Sequence, residues 1–447
     1  MTEESILNEI ESNKEEYINF LQRLIQINTY NPPGNEKDLA VEIEKYLKEV
    51  DIECEIFPFG DNRANLIASL NDNFDGQNLL YNGHMDTVPP SSLDDWKYDP
   101  LSGFIKRNKI MYGRGTTDMK SGLAGMIIAL KILKKLNINL SGNLILNAVA
   151  DEEVGGKLGT KWCLNNKLKS IRCDFGIVGE STGYSPLPKA IIVGEKGILQ
   201  VKVVTNGVAC HSSISFQGKN AIYMMSEIIQ NLDKIKIPEV APPMPESKLL
   251  KLLSSAFPNE EIFNRIYNEQ PQLESIVKSL LQSTKSMNII KGGVKENVVP
   301  DYCESIIDFR LLPGQKPEVI INALKKLITD IGYKIKDSHK GDPNEVFVYL
   351  EIFNIAEPSY WKDWEDSQEI KDFFNLVEKI YGKKPIYFLF PGTTDAQYYR
   401  NSNFCQKVIN FGPGNAVTMH AINENLEIQD FINAIKVYTL WAYNFLK

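Results

Sequence analysis

The sequence predicts an α/β protein in which a discontinuous doubly wound domain is interrupted by an inserted β-α-β-β-α-β (ferredoxin-like) domain. The chain has 447 residues, which is enough for two to four domains. Short apolar strand patterns alternate with amphipathic helices in residues 1–196 and again in 357–447, which is typical of a doubly wound layer. Residues 197–356 follow the order of a split β-α-β unit instead, so we expect them to form a separate domain.

In the first part of the larger domain, the apolar period distinguishes helices from strands. Helical spacing over 5–27, a Pro-Pro-Gly break and a second amphipathic stretch to about residue 50 predict two helices. Two further helices are expected near 122–136 and 159–168. The run 78–82 is nearly all apolar, as a buried strand should be. The predicted strands are 52–57, 65–70, 78–82, 143–150, 175–178 and 190–193.

The inserted domain is predicted from six elements and a long helical insert. Residues 234–286 open with a proline-rich turn and continue with helical spacing. Because loops of this length are uncommon without a purpose, we expect an added helical element that forms an interface. The six elements are strand 198–205, helix 220–232, strands 287–292 and 304–312, helix 317–331 and strand 345–353. The doubly wound pattern then returns with helix 366–380, strands 385–390 and 407–411, and a last helix from 427.

Composition and charge exclude several classes of protein. Hydrophobic residues make up 43% of the chain and charged residues 24%, values near those of globular proteins. Lys and Arg number 49 against 57 Asp and Glu, a net charge of −8 without a basic block, so nucleic acids and anionic membranes are poor partners. The apolar stretches are too short to span a membrane, and the acidic start does not resemble a signal peptide. We therefore expect a cytoplasmic protein.

The cysteines are scattered along the chain without a C-x-x-C pair. This spacing indicates neither a disulfide framework nor a thiolate zinc site. We expect all six to be small, buried apolar residues. They are Cys54, Cys163, Cys173, Cys210, Cys303 and Cys405.

Acids and histidines follow the carboxyl ends of the predicted strands or lie in glycine-rich loops beside them. In open α/β sheets ligands gather outside these strand ends, so we expect the side chains to converge on one cleft. Imidazoles and carboxylates without a thiolate suit zinc, cobalt or manganese. The residues concerned are His84, Asp86, Asp118, Glu152, Glu153, Glu180 and His420.

A simpler explanation exists for each acid taken singly, namely a solvated loop residue or a helix cap. The set as a whole favours a metal site, because two of only four histidines lie beside acids after strand ends. Adjacent glutamates at Glu152 and Glu153 are also costly after an apolar strand unless cations offset their repulsion. Of the other histidines, His211 lies in a loop after the first strand of the inserted domain, and His339 is a loop residue without an assigned role.

Several ordered motifs resemble those of a known enzyme family. They are YNGHMDTVP, GRGTTDMKSG, DEEVGG, VGEST, HSS, GKNAI, GGVKENVVPD, DFRLLPGQ and MHAINE. The chain is similar in these motifs to the two-metal amidohydrolases and peptidases that include acetylornithine deacetylase, succinyl-diaminopimelate desuccinylase, aminoacylase and glutamate carboxypeptidase. The resemblance implies that the doubly wound domain is catalytic and that the inserted domain serves as a lid and for dimerisation.

The resemblance also implies a centre of two zinc ions per chain, with cobalt or manganese as alternatives. Asp118 would bridge the ions. Three carboxylates would bring three negative charges against four positive ones, and a bridging hydroxide would neutralise the remainder. The other ligands would be His84 and Glu180 on one ion, and Glu153 and His420 on the other.

Three further residues have catalytic roles in this interpretation. Glu152 is the implied general base, held near the bridging water because it neighbours a ligand. Asp86 lies two residues after His84 and would accept the other imidazole N–H, which orients the ligand. His211 would reach the active site of a neighbouring subunit and stabilise the oxyanion, which makes a homodimer part of the mechanism.

Three residues are implied in substrate binding. Asn297 and Arg310 match positions that bind a substrate carboxylate, a task that suits the planar guanidinium. Without the resemblance, Arg310 would be taken for a surface strand residue. Thr393, with Thr394 and Asp395, resembles a loop that faces the substrate.

The predicted function is therefore cleavage of the amide bond of an N-acyl amino acid by a metal-activated hydroxide, with a glutamate as general base. A dipeptidase or carboxypeptidase on the same scaffold is the alternative. A binding protein on a decayed enzyme scaffold is the third hypothesis, but every ligand position and Glu152 are filled. The expected partner is a small N-acyl amino acid or a short peptide.

Overall fold

The computed structural model describes the chain except residues 1, 72–75, 186, 339–341, 343 and 403. His339 therefore lies outside the described residues. The described part is a mixed α/β protein, and this confirms the fold class predicted from the sequence. Of the helices in these ranges, none combines the length and apolarity that a membrane crossing needs.

The elements follow one another in three groups along the chain. The first group is α1 (Glu3–Ser12), α2 (Lys14–Gln26), α3 (Glu36–Lys48), β1 (Cys54–Phe59), β2 (Arg63–Ser69), β3 (Asn78–His84), β4 (Phe104–Lys106), β5 (Ile110–Tyr112), α4 (Lys120–Lys135), β6 (Asn143–Val149), α5 (Thr160–Asn166), β7 (Phe175–Val178) and β8 (Ala190–Glu195). The second is β9 (Gly197–Asn206), β10 (Cys210–His211), α6 (Ala221–Asn231), α7 (Glu246–Ser254), α8 (Glu260–Glu269), α9 (Pro271–Leu281), β11 (Thr284–Gly292), β12 (Val298–Val299), β13 (Tyr302–Leu311), α10 (Pro317–Asp330), β14 (Ile335–Lys336) and β15 (Phe347–Ala356). The third is β16 (Ser359–Tyr360), α11 (Gln368–Tyr381), β17 (Ile386–Phe390), α12 (Ala396–Asn401), β18 (Val408–Asn410), β19 (Asn425–Glu427) and α13 (Ile428–Leu446).

The first predicted helix is in fact two helices that meet at Asn13. This residue has φ −115° and ψ 15°, outside the helical range, and its side chain donates to the carbonyl of Glu9. Asparagine competes with the helical ladder through such local bonds, so an apolar period can continue while the helix breaks. The prediction of one continuous helix over 5–27 was wrong at this point.

A nine-stranded sheet forms the larger layer, in the order β1-β2-β6-β3-β7-β18-β8-β16, with β17 on β8. The central neighbours β6, β3, β7 and β18 run parallel, whereas β1, β2 and β16 are antiparallel additions. The strands of this sheet come from the first and the third group of elements. The larger layer is thus built from the beginning and the end of the chain, as the sequence predicts.

Alternation along the central strands buries both faces of this sheet. Leu79 and Tyr81 of β3 join the apolar cluster that contains α4 and α13, whereas Leu80 between them joins a second cluster with Tyr399 of α12. Successive side chains of a strand point to opposite faces, so helices cover the sheet on both sides. With its two faces covered, the sheet has its free carboxyl edge available for a site.

The second group of elements forms a five-stranded sheet in the order β11-β13-β9-β15-β14. Strand β9 lies antiparallel between β13 and β15, and helices α6 and α10 pack against them in a separate apolar cluster. The order of the four long strands and two helices along the chain is β-α-β-β-α-β, as predicted. Only Lys196 separates the last residue of β8 from the first residue of β9.

The long insert is helical, but it packs on the larger layer. Apolar residues of α7, α8 and α9, including Leu253, Phe263 and Val277, are buried in the same cluster as α4 and α13. Lys248 of α7 forms an ion pair with Glu365, which precedes α11. The insert therefore makes an interface between two parts of one chain, since it leaves the five-stranded sheet, contacts the larger layer and returns.

A disulfide corrects the expectation that all cysteines are free and buried. Cys173 and Cys405 are bonded, with their Cα atoms 5.9 Å apart and a sequence separation of 232. They meet because they precede β7 and β18, which are parallel neighbours. Of the others, Cys54 and Cys210 are only half-buried. Scattered spacing cannot reveal a pair that the sheet order brings together.

Candidate metal centre

The candidate ligands converge because their strands are neighbours in one sheet. Strand β3 pairs in parallel with both β6 and β7, so the carboxyl ends of the three strands meet at one edge. The loops before α4 and before β19 reach the same edge. It carries His84 at the end of β3, Glu152 and Glu153 after β6, Glu180 after β7, Asp118 before α4 and His420 before β19.

Asp118 lies between two histidines. Its Oδ1 is 3.1 Å from Nε2 of His84, and its Oδ2 is 2.9 Å from Nε2 of His420. Glu180 Oε1 lies 3.5 Å from His84 Nε2, and Glu153 Oε2 lies 3.0 Å from His420 Nε2. Each histidine therefore has one carboxylate of its own and shares Asp118 with the other, and the sequence interpretation groups the residues in the same way.

The Nδ1 contact of His84 leaves its Nε2 lone pair available to a cation. Its Nδ1 lies 2.9 Å from the backbone carbonyl oxygen of Asp86, which can only accept, so the hydrogen of a neutral ring is on Nδ1. The Nε2 lone pair then faces the carboxylate oxygens of Asp118 and Glu180. Acceptors that face one another in a buried site repel unless a positive charge lies among them.

The donor set fits divalent transition metals. One nitrogen or oxygen atom each of His84, Asp118 and Glu153 lie within 4.8 Å of one another, and the same holds for His84, Glu180 and the neighbouring Glu152. Glu180 Oε2 is buried and accepts no hydrogen bond from the described residues, which leaves a lone pair for a metal. Carboxylates with imidazoles and no thiolate match the sites of zinc, cobalt and manganese.

Burial and mutual attraction shift the pKa values of these groups. Burial alone would lower the pKa of His84, but hydrogen bonds with Asp118 and Glu180 raise it well above its usual value. Hydrogen bonds to Asp118 and Glu153 raise the pKa of His420 to about 10. Burial raises the pKa of Glu153 to about 7. These shifts reflect how closely acids and imidazoles are packed in a buried centre, which a cation among them would stabilise.

Asp86 does not hold the imidazole in the way the sequence predicts. Its carboxylate is 3.6 Å from His84 Nδ1, beyond a hydrogen bond, because the backbone oxygen of the same residue occupies that position. The carboxylate instead accepts the backbone N–H groups of Glu152 and Glu153, each at 3.2 Å, and the side chain of Asn31 at 2.8 Å. Asp86 therefore positions both glutamates, and the sequence did not single out Asn31.

Glu152 reaches the centre without pairing closely with either histidine. Its Oε2 is 3.9 Å from Nε2 of His84, and its side chain is buried apart from a small exposed fraction. Burial raises the pKa of this carboxyl well above its usual value. Asp86 fixes its backbone, so the side chain is held beside the two histidine-carboxylate pairs.

Glu424 holds the backbone of Asp118 in place, a contact that the sequence did not predict. Its Oε1 accepts the backbone N–H groups of Thr117 at 2.7 Å and of Asp118 at 3.1 Å. Its Oε2 accepts from Arg114 at 2.7 Å, and both of these charged side chains are almost fully buried. Glu424 is the last residue of the motif that contains His420, but spacing alone could not show that it folds back under Asp118.

A cavity of about 360 Å³ opens beside the centre and extends to the five-stranded sheet. The sheet contributes Arg310 and Asn354 to its wall, and the larger layer contributes Thr393 and Asp395. Arg310 is about one-third exposed, and its Nε donates to Asp308 at 2.7 Å. The structure thus places Arg310 and Thr393 at the cavity, whereas Asn354 was not predicted.

His211 and Asn297 lie together but away from this cavity. His211 is exposed in β10, which pairs with β12, and the carbonyl oxygen of Asn297 accepts from the N–H of Ser212 at 3.0 Å. The side-chain Oδ1 of Asn297 is buried without a partner among the described residues. Within this single chain, the structure does not bring either residue to the centre.

A buried ion pair holds the loop after β17 in place. Thr394 donates to Glu195 at 2.8 Å, and Glu195 lies 3.6 Å from the guanidinium of the fully buried Arg400. Asp395 accepts from Thr160 at 2.9 Å, and burial raises its pKa to about 8. The neighbouring Thr393 has a buried hydroxyl without a partner among the described residues. The loop is therefore fixed except at the group that faces the cavity.

Fold and site together define a class of α/β protein whose imidazole and carboxylate side chains can bind divalent metal ions at the carboxyl edge of the sheet. The chain matches Peptidase family M20/M25/M40 over residues 80–444 and belongs to this family. This confirms the family resemblance in the sequence motifs. No side chain of the candidate centre lies outside the matched range, since His84 is the first and His420 the last of them.

Named relatives agree over almost the full length of the chain. It is 29% identical over 442 residues to a protein of Staphylococcus aureus (strain MSSA476) named probable succinyl-diaminopimelate desuccinylase, covering 97% of this chain and 98% of the other. It is 28% identical to an uncharacterized metallohydrolase of Methanocaldococcus jannaschii, covering 95% and 98%. The fold is similar to that of the M20 metallo-carboxypeptidase Sso-CP2 from Sulfolobus solfataricus, with a TM-score of 0.77, 21% identity and coverage of 96% and 98%.

Proposed function

We propose that the protein is a two-zinc hydrolase that cleaves the amide bond of an N-acyl amino acid with a free carboxylate. The observation that carries this proposal is the position of Asp118 between two histidine-carboxylate pairs, with Glu152 beside them. Cobalt and manganese are the alternatives to zinc. A cytoplasmic location belongs to the same proposal.

The distances within the centre support a division of work among its residues. His84 and Glu180 would hold one ion, Glu153 and His420 the other, and Asp118 both. When bound, the ions would lower the pKa of a water molecule and polarise the substrate carbonyl. Glu152 would accept a proton from the attacking water and deliver it to the nitrogen of the leaving amine. Asp86 keeps Glu152 in place through the backbone N–H.

Arg310 supplies the anchor for the substrate carboxylate. Its Nε and one terminal nitrogen donate to Asp308 at 2.7 and 3.2 Å, which leaves the other terminal nitrogen for a ligand in the cavity. A charge-assisted hydrogen bond from this nitrogen suits a substrate carboxylate. Thr393 contributes an unpartnered hydroxyl at the same cavity. Asn297 would join this anchor only if a second subunit brought it there.

A panel of substrates tests the proposed reaction. Zinc-loaded protein is expected to hydrolyse N-acyl amino acids such as acetylornithine, succinyl-diaminopimelate or acyl-methionine faster than unblocked dipeptides. The 29% identity to the S. aureus relative supports this order. Faster hydrolysis of dipeptides would establish the peptidase alternative, and no hydrolysis of either class would support a binding protein.

We also propose a homodimer in which His211 completes the partner's site. Three apolar side chains in this part of the chain are exposed: Phe216 in the turn after β10 by 83%, Tyr223 of α6 by 74% and Val294 in the loop after β11 by 91%. Apolar groups of this size on one surface mark protein interfaces. Contact between two copies through this surface accounts for the distance of His211 from the centre of its own chain.

Mixing two inactive variants tests action between subunits. Glu152→Gln and His211→Ala are each expected to lose most activity as homodimers. In a mixed dimer, one centre would combine the intact Glu152 of one subunit with the intact His211 of the other, so equal mixing should restore about a quarter of normal activity. Assays before and after unfolding and refolding the mixture together measure this. No recovery, or an active monomer in sedimentation, would contradict the dimer mechanism.

A further inference from the structure

A row of polar side chains crosses the face of the five-stranded sheet that borders the cavity. Gln200 of β9 is directly opposite Asp308 of β13 on one side and Asn354 of β15 on the other. The next row on the same face holds Arg310, Ile198 and Ala356, all of which line the cavity. The polar row is therefore next to the wall that would hold the substrate.

Hydrogen bonds join this row into one chain that ends at Arg310. Asn354 Nδ2 donates to Gln200 Oε1 at 3.2 Å, and Gln200 Nε2 donates to Asp308 Oδ2 at 2.7 Å. Asp308 in turn accepts from Nε of Arg310 at 2.7 Å and from a terminal nitrogen at 3.2 Å. Asp308 thus accepts hydrogen bonds from both Gln200 and Arg310. The bond from Gln200 holds the carboxylate of Asp308 in the orientation that binds the guanidinium of Arg310.

The carboxylate of Asp308 determines how the side-chain amides of Gln200 and Asn354 are oriented. A carboxylate can only accept, so Gln200 must present its NH₂ group to Asp308. Its carbonyl oxygen then faces β15 and requires a donor, which is the NH₂ group of Asn354. The Oδ1 of Asn354 is left over, and no described residue donates a hydrogen bond to it. One end of the row is a cation and the other end is an acceptor.

The free acceptor, Asn354 Oδ1, lies near the turn that follows Glu152 and Glu153. A Cβ atom placed on Gly155 would be 3.7 Å from Asn354 Oδ1, and Gly155 comes two residues after Glu153. Asn354 and Arg310 both line the cavity. A ligand between them meets a positive charge at one end and a hydrogen-bond acceptor near the reacting groups at the other.

We propose that Gln200 is a positioning residue for Arg310, and that Asn354 Oδ1 accepts a hydrogen bond from a nitrogen of the substrate. This inference rests on the proposed function and deepens it. The substrate class is an amino acid derivative with a carboxylate for Arg310 and an N–H or ammonium donor for Asn354. The amide polarity makes a second carboxylate at the Asn354 end unfavourable, since two acceptors would face each other.

Substitution of Gln200 tests the positioning role. Gln200→Met keeps the length of the side chain but removes both hydrogen bonds, and Gln200→Glu replaces the donor by a second carboxylate next to Asp308. For both variants we expect kcat/KM on an N-acyl amino acid to fall about tenfold through KM, with kcat little changed. On the matching C-terminal amide, which lacks the carboxylate, kcat/KM should not change.

The matched control for Gln200 is Lys202→Met on the same face of β9. Lys202 pairs with Glu351 at 3.0 Å and takes no part in the polar row. The Lys202→Met variant should therefore have the same kcat and KM as the unmodified protein. Equal losses on acid and amide, or no loss in either Gln200 variant, would overturn the positioning role. A lack of preference for acid over amide in the unmodified protein would instead refute Arg310 as anchor, and with it that part of the proposed function.

Substitution of Asn354 tests the acceptor. Asn354→Leu should raise the inhibition constant of a substrate analogue about tenfold when the analogue carries the donor nitrogen. An analogue N-methylated at the amide and one without its free amino group show which donor is used, because the effect of Asn354→Leu disappears for the analogue that lacks it. Equal effects on all three analogues, or none, would overturn the assignment.

Discussion

Replacement of Glu152 by glutamine should lower kcat by about 10² to 10⁴, the range that a positioned general base contributes. Glutamine keeps the size of the side chain and its place beside Asp86, whose carboxylate binds only the backbone of this residue. What is lost is the capacity to accept a proton next to the centre. Steady-state kinetics on the best N-acyl amino acid measure the effect.

Metal content separates this effect from damage to the centre. Glu152 does not pair closely with either histidine, so Glu152→Gln should bind as much zinc as the unmodified protein. Glu318→Gln, an exposed acid on α10, serves as the control with full activity. Near-normal kcat in a Glu152→Gln protein with full metal content would refute its role as base.

Replacement of Arg400 by methionine should cost about 3 to 5 kcal/mol of unfolding free energy, as expected when one partner of a buried ion pair is removed. Arg400 and Glu195 are both fully buried, and Arg400 also donates to the carbonyl oxygens of Val408 and Ile192. Without the guanidinium, Glu195 would remain as an uncompensated buried acid. Its pKa is already raised by burial, which shows how unfavourable that charge is.

Urea unfolding of a matched pair of variants measures this cost. Arg23→Met removes an arginine whose partner Glu42 lies at 2.8 Å near the surface, and exposed pairs contribute about 0 to 1 kcal/mol. The double variant Glu195→Leu with Arg400→Met should recover part of the loss, because no unpaired charge is left. A loss in Arg400→Met no larger than in Arg23→Met would show that the buried pair does not stabilise the loop after β17.

The sequence was most informative where local pattern and function coincide. His84, Glu153 and Glu180 follow apolar strands that could be recognised by their period, and the ends of parallel strands necessarily meet. The strands that carry them begin and end within a few residues of the predicted limits. Local signals of this kind are enough to predict which residues converge, although the roles assigned to them stay predictions.

Contacts that depend on register or on distant segments could not be predicted. Gln200 and Asn354 face each other only because β9 and β15 pair in one register, and a slip of one residue would turn the side chain of the shifted strand to the opposite face. The carboxylate of Asp86 accepts two backbone N–H groups instead of the expected imidazole N–H. Glu424 contacts Asp118 although the two are 306 positions apart in sequence. The division into domains at residues 196 and 357 also stays a prediction.

The metal content of the reconstituted protein tests the central claim most directly. After incubation with excess zinc and removal of free ions, the unmodified chain should hold two zinc ions, measured by mass spectrometry of the metal. Asp118→Asn should hold fewer than one, because both ions would lose their shared ligand. Fewer than one ion in the unmodified chain, or two in Asp118→Asn, would contradict a two-metal centre built around Asp118.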